Sequence, residues 1–133
     1  MKKIEHIGIA VKNIENATKV YSSLLGSSPY KMEEVKSEGV KTSFFKTGDS
    51  KIELLEATNP DSPIAKFIEK RGEGVHHIAF AVDDIQSEIV RLKNEGFIVL
   101  NENPKKGADN KLVVFLHPKS TAGVLVELCQ DRK

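Results

Sequence analysis

The chain repeats itself, and the repeat limits its fold more than any other feature. Glu5-His6-Ile7-Gly8-Ile9-Ala10-Val11-Lys12-Asn13-Ile14 returns as His76-His77-Ile78-Ala79-Phe80-Ala81-Val82-Asp83-Asp84-Ile85, an offset of 71 when His6 is set on His77. The copies share the histidine, the isoleucine after it, Ala10/Ala81, Val11/Val82 and Ile14/Ile85. A period of about 70 residues is too long for a solenoid unit and suits two fused half-domains. At 133 residues the two together make one domain large enough for a core without staples.

Strand alternation gives each copy two unlike faces. Ile7, Ile9 and Val11 form a core stripe, as do Ile78, Phe80 and Val82. The other face carries His6, Gly8 and Ala10, or His77, Ala79 and Ala81. A histidine followed by residues with almost no side chain leaves room for something to bind. One such histidine alone reads as a core residue holding a hydrogen bond; two in register read as ligands.

In chain order, residues 4 to 12 read as a strand and Asn13 as the cap of a helix with Ile14, Ala17, Tyr21 and Leu24 on its buried side, stopped by Gly26. Tyr30 to Glu38 reads as an outer strand, Val40 to Lys46 as a strand, Thr47-Gly48-Asp49-Ser50 as a hairpin turn and Lys51 to Glu56 as the next strand. Ser62 before Pro63 opens a connecting helix with Ile64, Phe67 and Ile68. The second copy then predicts a strand from Val75 and a helix capped by Asp84, with Ile85, Ile89 and Leu92 buried and Gly96 as its stop. Further strands are expected at Phe97 to Leu100, Leu112 to Leu116 and Val124 to Gln130, with 103–110 and 117–123 as loops. The expectation is an α+β chain of two tandem βαβββ modules, 1–58 and 74–133, joined by the helix in 59–73. Each module helix would cover the apolar side of a curved sheet and leave the inner side to a ligand.

Twenty basic and nineteen acidic residues give a net charge of +1, so there is no field to gather nucleic acid or an acidic membrane surface. One cysteine, Cys129, excludes an internal disulfide and suits a reducing cytoplasm. Lys2 and Lys3 precede an apolar run cut short by Glu5 and His6, which argues against a signal peptide, and no stretch reaches the length of a membrane span.

The closing strands of the modules match as well. Ile52-Glu53-Leu54-Leu55 falls on Val126-Glu127-Leu128-Cys129, an offset of 74. Glu127 shares a face with Leu125 and Cys129, where an ionised carboxylate is costly without a partner. Glu56, on the opposite face from Glu53, reads as solvated. Two imidazoles and two carboxylates, His6, Glu53, His77 and Glu127, suit a divalent ion such as Co, Mn, Ni, Zn or Fe, and the lack of thiolates argues against a closed structural zinc site. Two glutamates would cancel the charge of one such ion. His76 and His117 read as structural, and Lys105 and Lys106 as solvated surface.

These residues resemble the vicinal oxygen chelate (glyoxalase) superfamily, and within it the methylmalonyl-CoA epimerase family. The resemblance rests on Glu5 to Val11, Lys51 to Glu56, Ser62 to Phe67, Gly74 to Phe80, Phe115-Leu116-His117-Pro118-Lys119-Ser120 and Gly123 to Leu128, nearly the whole chain. It implies a curved, half-open mixed barrel around one metal held by His6, Glu53, His77 and Glu127. It implies a proton moved at the carbon between a thioester and a free carboxylate, with Glu127 the first candidate base, Glu53 the second, and Lys119 and Ser120 contacting a CoA-thioester substrate. Certain members carry a glutamate, suggested as a base, where this chain has Thr42, which cannot take a proton at neutral pH and is left as a substrate contact. The resemblance also implies a homodimer. Two other readings fit the same superfamily: a lactoylglutathione lyase of the glyoxalase I kind, and a metal-free antibiotic-sequestering protein.

Overall fold

The computed structural model describes residues 1–101 and 103–132; Glu102 and Lys133, both within the second module as read from the sequence, lie outside them. By its contacts the chain divides into two compact units, His6–His76 and, separately, Met1–Glu5 with the residues from His77 onward.

The first unit contains β1 (Lys3–Ala10, whose first three residues go with the other unit), α1 (Ile14–Leu25), β2 (Lys31–Val35), β3 (Val40–Thr47), β4 (Ser50–Ala57) and α2 (Pro63–Arg71). Its strands lie in the order β2-β3-β4-β1, with β1 parallel to β4 and the other pairs antiparallel. Asn13 caps α1 by accepting from Asn16 N at 2.9 Å, and Gly26 ends it at φ 70°, where a side chain would be strained. Ile14, Ala17, Tyr21 and Leu25 of α1 pack on Ile9, Val11, Phe45, Ile52 and Leu54. The sequence pattern places Leu24 in this stripe; Leu24 is 70% exposed, because at 3.6 residues per turn Leu25 returns to within about 20° of Ile14 around the helix and Leu24 falls about 80° away. Each large side chain buried here contributes about 1.5–3 kcal/mol.

Helix α2 starts as expected, with the Ser62 hydroxyl accepting from Ile64 N at 3.2 Å and Pro63 in its first turn. It covers the other side of the sheet: Ile64, Phe67 and Ile68 pack on Ala10, Val40 and Leu55. The small side chain of Ala10 therefore makes room for a helix rather than for a ligand. The small-residue face stays available only toward its Gly8 and His6 end.

The second unit holds most of β5 (Gly74–Ala81), α3 (Ile85–Asn94), β6 (Lys105–Gly107), β7 (Lys111–Leu116) and β8 (Val126–Asp131), in the sheet order β5-β8-β7-β6 with β5 parallel to β8. Asp84 caps α3, and Ile85, Ile89 and Leu92 pack on Val82, Val114, Leu116 and Leu128 as the spacing predicts. The segment expected as a strand at Phe97 to Leu100 makes only one bridge, Val99 to Leu116. The outer strand is β6 instead, inside the stretch read as a polar loop. Gly107 explains part of this, since a Cβ there would come within 2.9 Å of Val113 Cγ1, so only glycine fits this close to β7.

Register shows where the repeat slips. Phe44 faces Glu53 across β3 and β4, and Phe115 faces Glu127 across β7 and β8. The phenylalanines keep the offset of the histidines, so the extra residues that separate the glutamates are absorbed by the longer connection from β7 to β8. Glu56 is not solvated as expected: it is half-buried and accepts from Ile14 N at 2.8 Å, at the start of α1. Gln130 does the same for Ile85 N of α3 at 2.7 Å. In each module the strand that carries the glutamate also ties down its helix, three residues further on.

Candidate metal centre

Each unit builds one imidazole and carboxylate pair. In the first, His6 Nδ1 lies 3.1 Å from Glu53 Oε2; in the second, His77 Nε2 lies 3.2 Å from Glu127 Oε1. All four side chains are at least 92% buried. The parallel registers explain how the pairs form: Glu53 is level with Gly8 on β1, and Glu127 with Ala79 on β5. Glycine and alanine beside the carboxylate leave the space that the histidine, two residues earlier on the same face, leans into.

The walls repeat too. Phe44 backs Glu53 and Phe115 backs Glu127 as cross-strand neighbours, and the Phe115 ring meets the His77 ring edge-on at 5.8 Å. Apolar backing removes water, which makes an unpartnered carboxylate costly and strengthens its interaction with a cation. Sequence reasoning missed both phenylalanines, although the offset that aligns His6 with His77 also aligns Phe44 with Phe115.

The donor set in each unit is one nitrogen and one carboxylate oxygen, buried, on one sheet face. That chemistry fits half of the ligand set of a divalent transition ion. Elsewhere the expected residues are placed as follows. Thr42 is 1% exposed and stands between Glu33 on β2 and Leu55 on β4. Ser120 lies on a 3-10 turn before β8, where its hydroxyl donates to His117 O at 2.8 Å and accepts from Ile98 N at 3.2 Å, so it holds the loop together. Lys119 on the same turn is exposed, and its backbone N–H donates to His117 Nδ1 at 3.0 Å. The His76 ring stands edge-on to Phe67 at 4.9 Å. Lys105 and Lys106 are exposed on β6.

Paired βαβββ modules with a histidine on the first strand and a glutamate on the last define the class: residues 5–115 match the family model of the Glyoxalase/Bleomycin resistance protein/Dioxygenase superfamily, and the chain belongs to that superfamily. Its relatives within that superfamily are more closely defined. The chain is 42% identical over 130 residues to the ethylmalonyl-CoA/methylmalonyl-CoA epimerase of Cereibacter sphaeroides, covering 96% of this chain and 97% of that one. It is 40% identical over 129 residues to the mitochondrial methylmalonyl-CoA epimerase of Homo sapiens, covering 96% and 73%. The solved structure of a single-residue variant of Streptomyces coelicolor methylmalonyl-CoA epimerase in complex with 2-nitronate-propionyl-CoA is similar with a TM-score of 0.93 at 34% identity, covering 100% of this chain and 99% of that one.

Proposed function

We propose that this chain is an epimerase that interconverts the (R) and (S) forms of methylmalonyl-CoA. The observation that carries the reading is the repeated, buried His and Glu pair in a chain that is similar over 96% of its length to two proteins named as epimerases of that thioester. His6, Glu53, His77 and Glu127 hold one divalent ion, Co, Mn, Ni, Zn or Fe. When bound, the ion supplies Lewis acidity toward the thioester oxygen.

The chain's own groups move the proton. Glu127 removes it from the carbon between thioester and carboxylate, and the electrons of the broken C–H bond enter the enolate. Glu53, the carboxylate of the other module, returns a proton from the opposite face, and the reverse reaction exchanges their roles. A buried threonine at position 42 gives no third base. Phe44 and Phe115 keep water from the enolate. Lys119 and Ser120 contact the substrate from the turn before β8. By likeness alone, the protein is a cytoplasmic homodimer.

Incubation with (S)-methylmalonyl-CoA in D2O tests the reading. The expected result is conversion to the (R) form with deuterium at the α carbon. Turnover of methylglyoxal with glutathione, and none of the CoA ester, would make the chain a lactoylglutathione lyase instead.

A further inference from the structure

The second unit ends its inner face with charge where the first ends it with a helix. Val40 faces Ala57 across β3 and β4, and the repeat sets Lys111 and Asp131 at the same two places on β7 and β8, again directly opposite each other. Helix α2 covers Val40 with Ile64, Phe67 and Ile68. Among the described residues the second unit has α3 and short 3-10 turns, and α3 packs on the other side of its sheet. Lys111 shares its side of β7 with Phe115, whose ring meets His77. It meets the start of β1 instead of a helix. Its ammonium lies 3.9 Å from Glu5 Oε2, an ion-pair separation, and also pairs with Asp131. The Glu5 and Lys111 side chains are 4% and 13% exposed and that of Asp131 is 82% exposed, so Glu5 is the buried partner.

A buried ion pair is a poor way to stabilise a fold. Desolvation offsets most of the attraction, and apolar side chains of similar volume serve as well or better. The first module uses Val40 at this place. What an ammonium and a carboxylate add is direction: they hold one strand at one place along another, as a buried polar group can hold a register. Glu5 is the last residue of β1 that goes with the second unit, and His6 is the first that goes with the other. Two further ties hold the same stretch, Lys2 N donating to Ala81 O at 2.9 Å and Lys2 Nζ lying 3.0 Å from Asp83 Oδ1. The Lys2 and Asp83 side chains are exposed, so water and salt screen that pair. The tie through Glu5 is out of water and stands next to the histidine.

We propose that Lys111 is a positioning residue: by holding Glu5 it sets where β1 leaves the second unit, and so how His6, the next residue, presents its imidazole to Glu53 and to the ion. This rests on the metal reading for what His6 binds, but not for the placing of His6 itself.

Three variants test it. Lys111→Met removes the charge and nearly keeps the length, Lys111→Arg keeps the charge, and Glu5→Leu/Lys111→Met removes the pair without leaving a charge buried. Affinity for Co2+, measured by competition with a chromophoric chelator, should fall about tenfold or more in Lys111→Met, the usual size for a group that orients a metal ligand. Arginine should restore most of the loss. The double variant should melt at or above the wild-type temperature and still bind the ion more weakly than wild type. It separates position from stability, and it replaces Lys111→Met if the single variant does not fold.

A second measurement needs no ion. Amide exchange in the metal-free protein, followed by NMR, should be faster at His6 in Lys111→Met and in the double variant, and unchanged at His77, which lies in the unit of Lys111 itself. A purely structural role for the pair would speed exchange at both. Full affinity in the double variant, or exchange altered equally at the two histidines, would overturn the proposal. Wild type that takes up no Co2+ would overturn the metal reading; faster exchange at His6 alone would then still support the role of Lys111, and unchanged exchange would overturn that as well.

Discussion

Glu53 and Glu127 are carboxylates in places that water scarcely reaches, and neither stands alone, since an imidazole lies beside each. An isolated buried charge would instead shift its equilibrium and neutralise. The same arrangement makes the Glu127 substitution informative. Glu127→Gln keeps the shape and an oxygen that can accept from His77, so the fold should survive with a melting temperature close to that of wild type. Proton abstraction should fall by about a hundredfold or more, the usual worth of a positioned general base. Deuterium wash-in at the α carbon is the readout, and retained exchange would remove Glu127 from the base role. Thr42 makes the two glutamates the more necessary, because a hydroxyl at that buried position has no useful acidity or basicity near neutral pH.

Each element is held by short-range chemistry that repeats between modules: a polar cap before the helix, an apolar stripe along it, and a side chain from the closing strand bonded to its first N–H. Asp84 gives a measurable case. It accepts from Ser87 N at 3.2 Å and from the Ser87 hydroxyl at 3.0 Å. The backbone bond above all, and then the hydroxyl, hold its carboxyl below the ordinary aspartate value, with burial opposing weakly. A pKa lowered by folding means that the ionised form favours the native state. The contribution is therefore complete above the usual aspartate range and is lost as pH falls through the lowered value. Asp84→Ala should lower the melting temperature at neutral pH, and the gap to wild type should close as the solution is taken below the carboxylate range. A gap that stays constant with pH would mean that the cap works without its charge.

Across the whole chain, the proposed ion is a statement about stoichiometry. If His6, Glu53, His77 and Glu127 serve one centre, metal analysis of protein purified without chelator should give one divalent ion per chain. Two ions, one on each His and Glu pair, would break the proposal. Removal by chelator should abolish epimerisation, and readdition should restore it. A ligand bound only by the native state stabilises by about 2.7 kcal/mol at a hundred times its Kd, so the stripped protein should also melt lower. Among the described residues no helix is long and apolar enough to cross a membrane.

Local chemistry made much of this legible. The caps at Asn13, Ser62 and Asp84, the α3 stripe of Ile85, Ile89 and Leu92, and the two His and Glu positions follow from nearest-neighbour spacing and from the repeat, both written in the order of residues. What the order did not contain was decided by strands meeting at a distance. The outer strand of the second module runs where Gly107 comes close to Val113, and not at Phe97 to Leu100. The half-buried state of Glu56 depends on where the start of α1 arrives, and the filling of the Ala10 face on where α2 comes down. The pairing of Lys111 with Glu5 exists only once the start of β1 has come to the second unit. A sequence fixes which side of its own strand or helix a residue occupies, because that depends on backbone periodicity alone. Which residue of another segment comes to face it is a matter of long-range packing, and only the folded chain decides that.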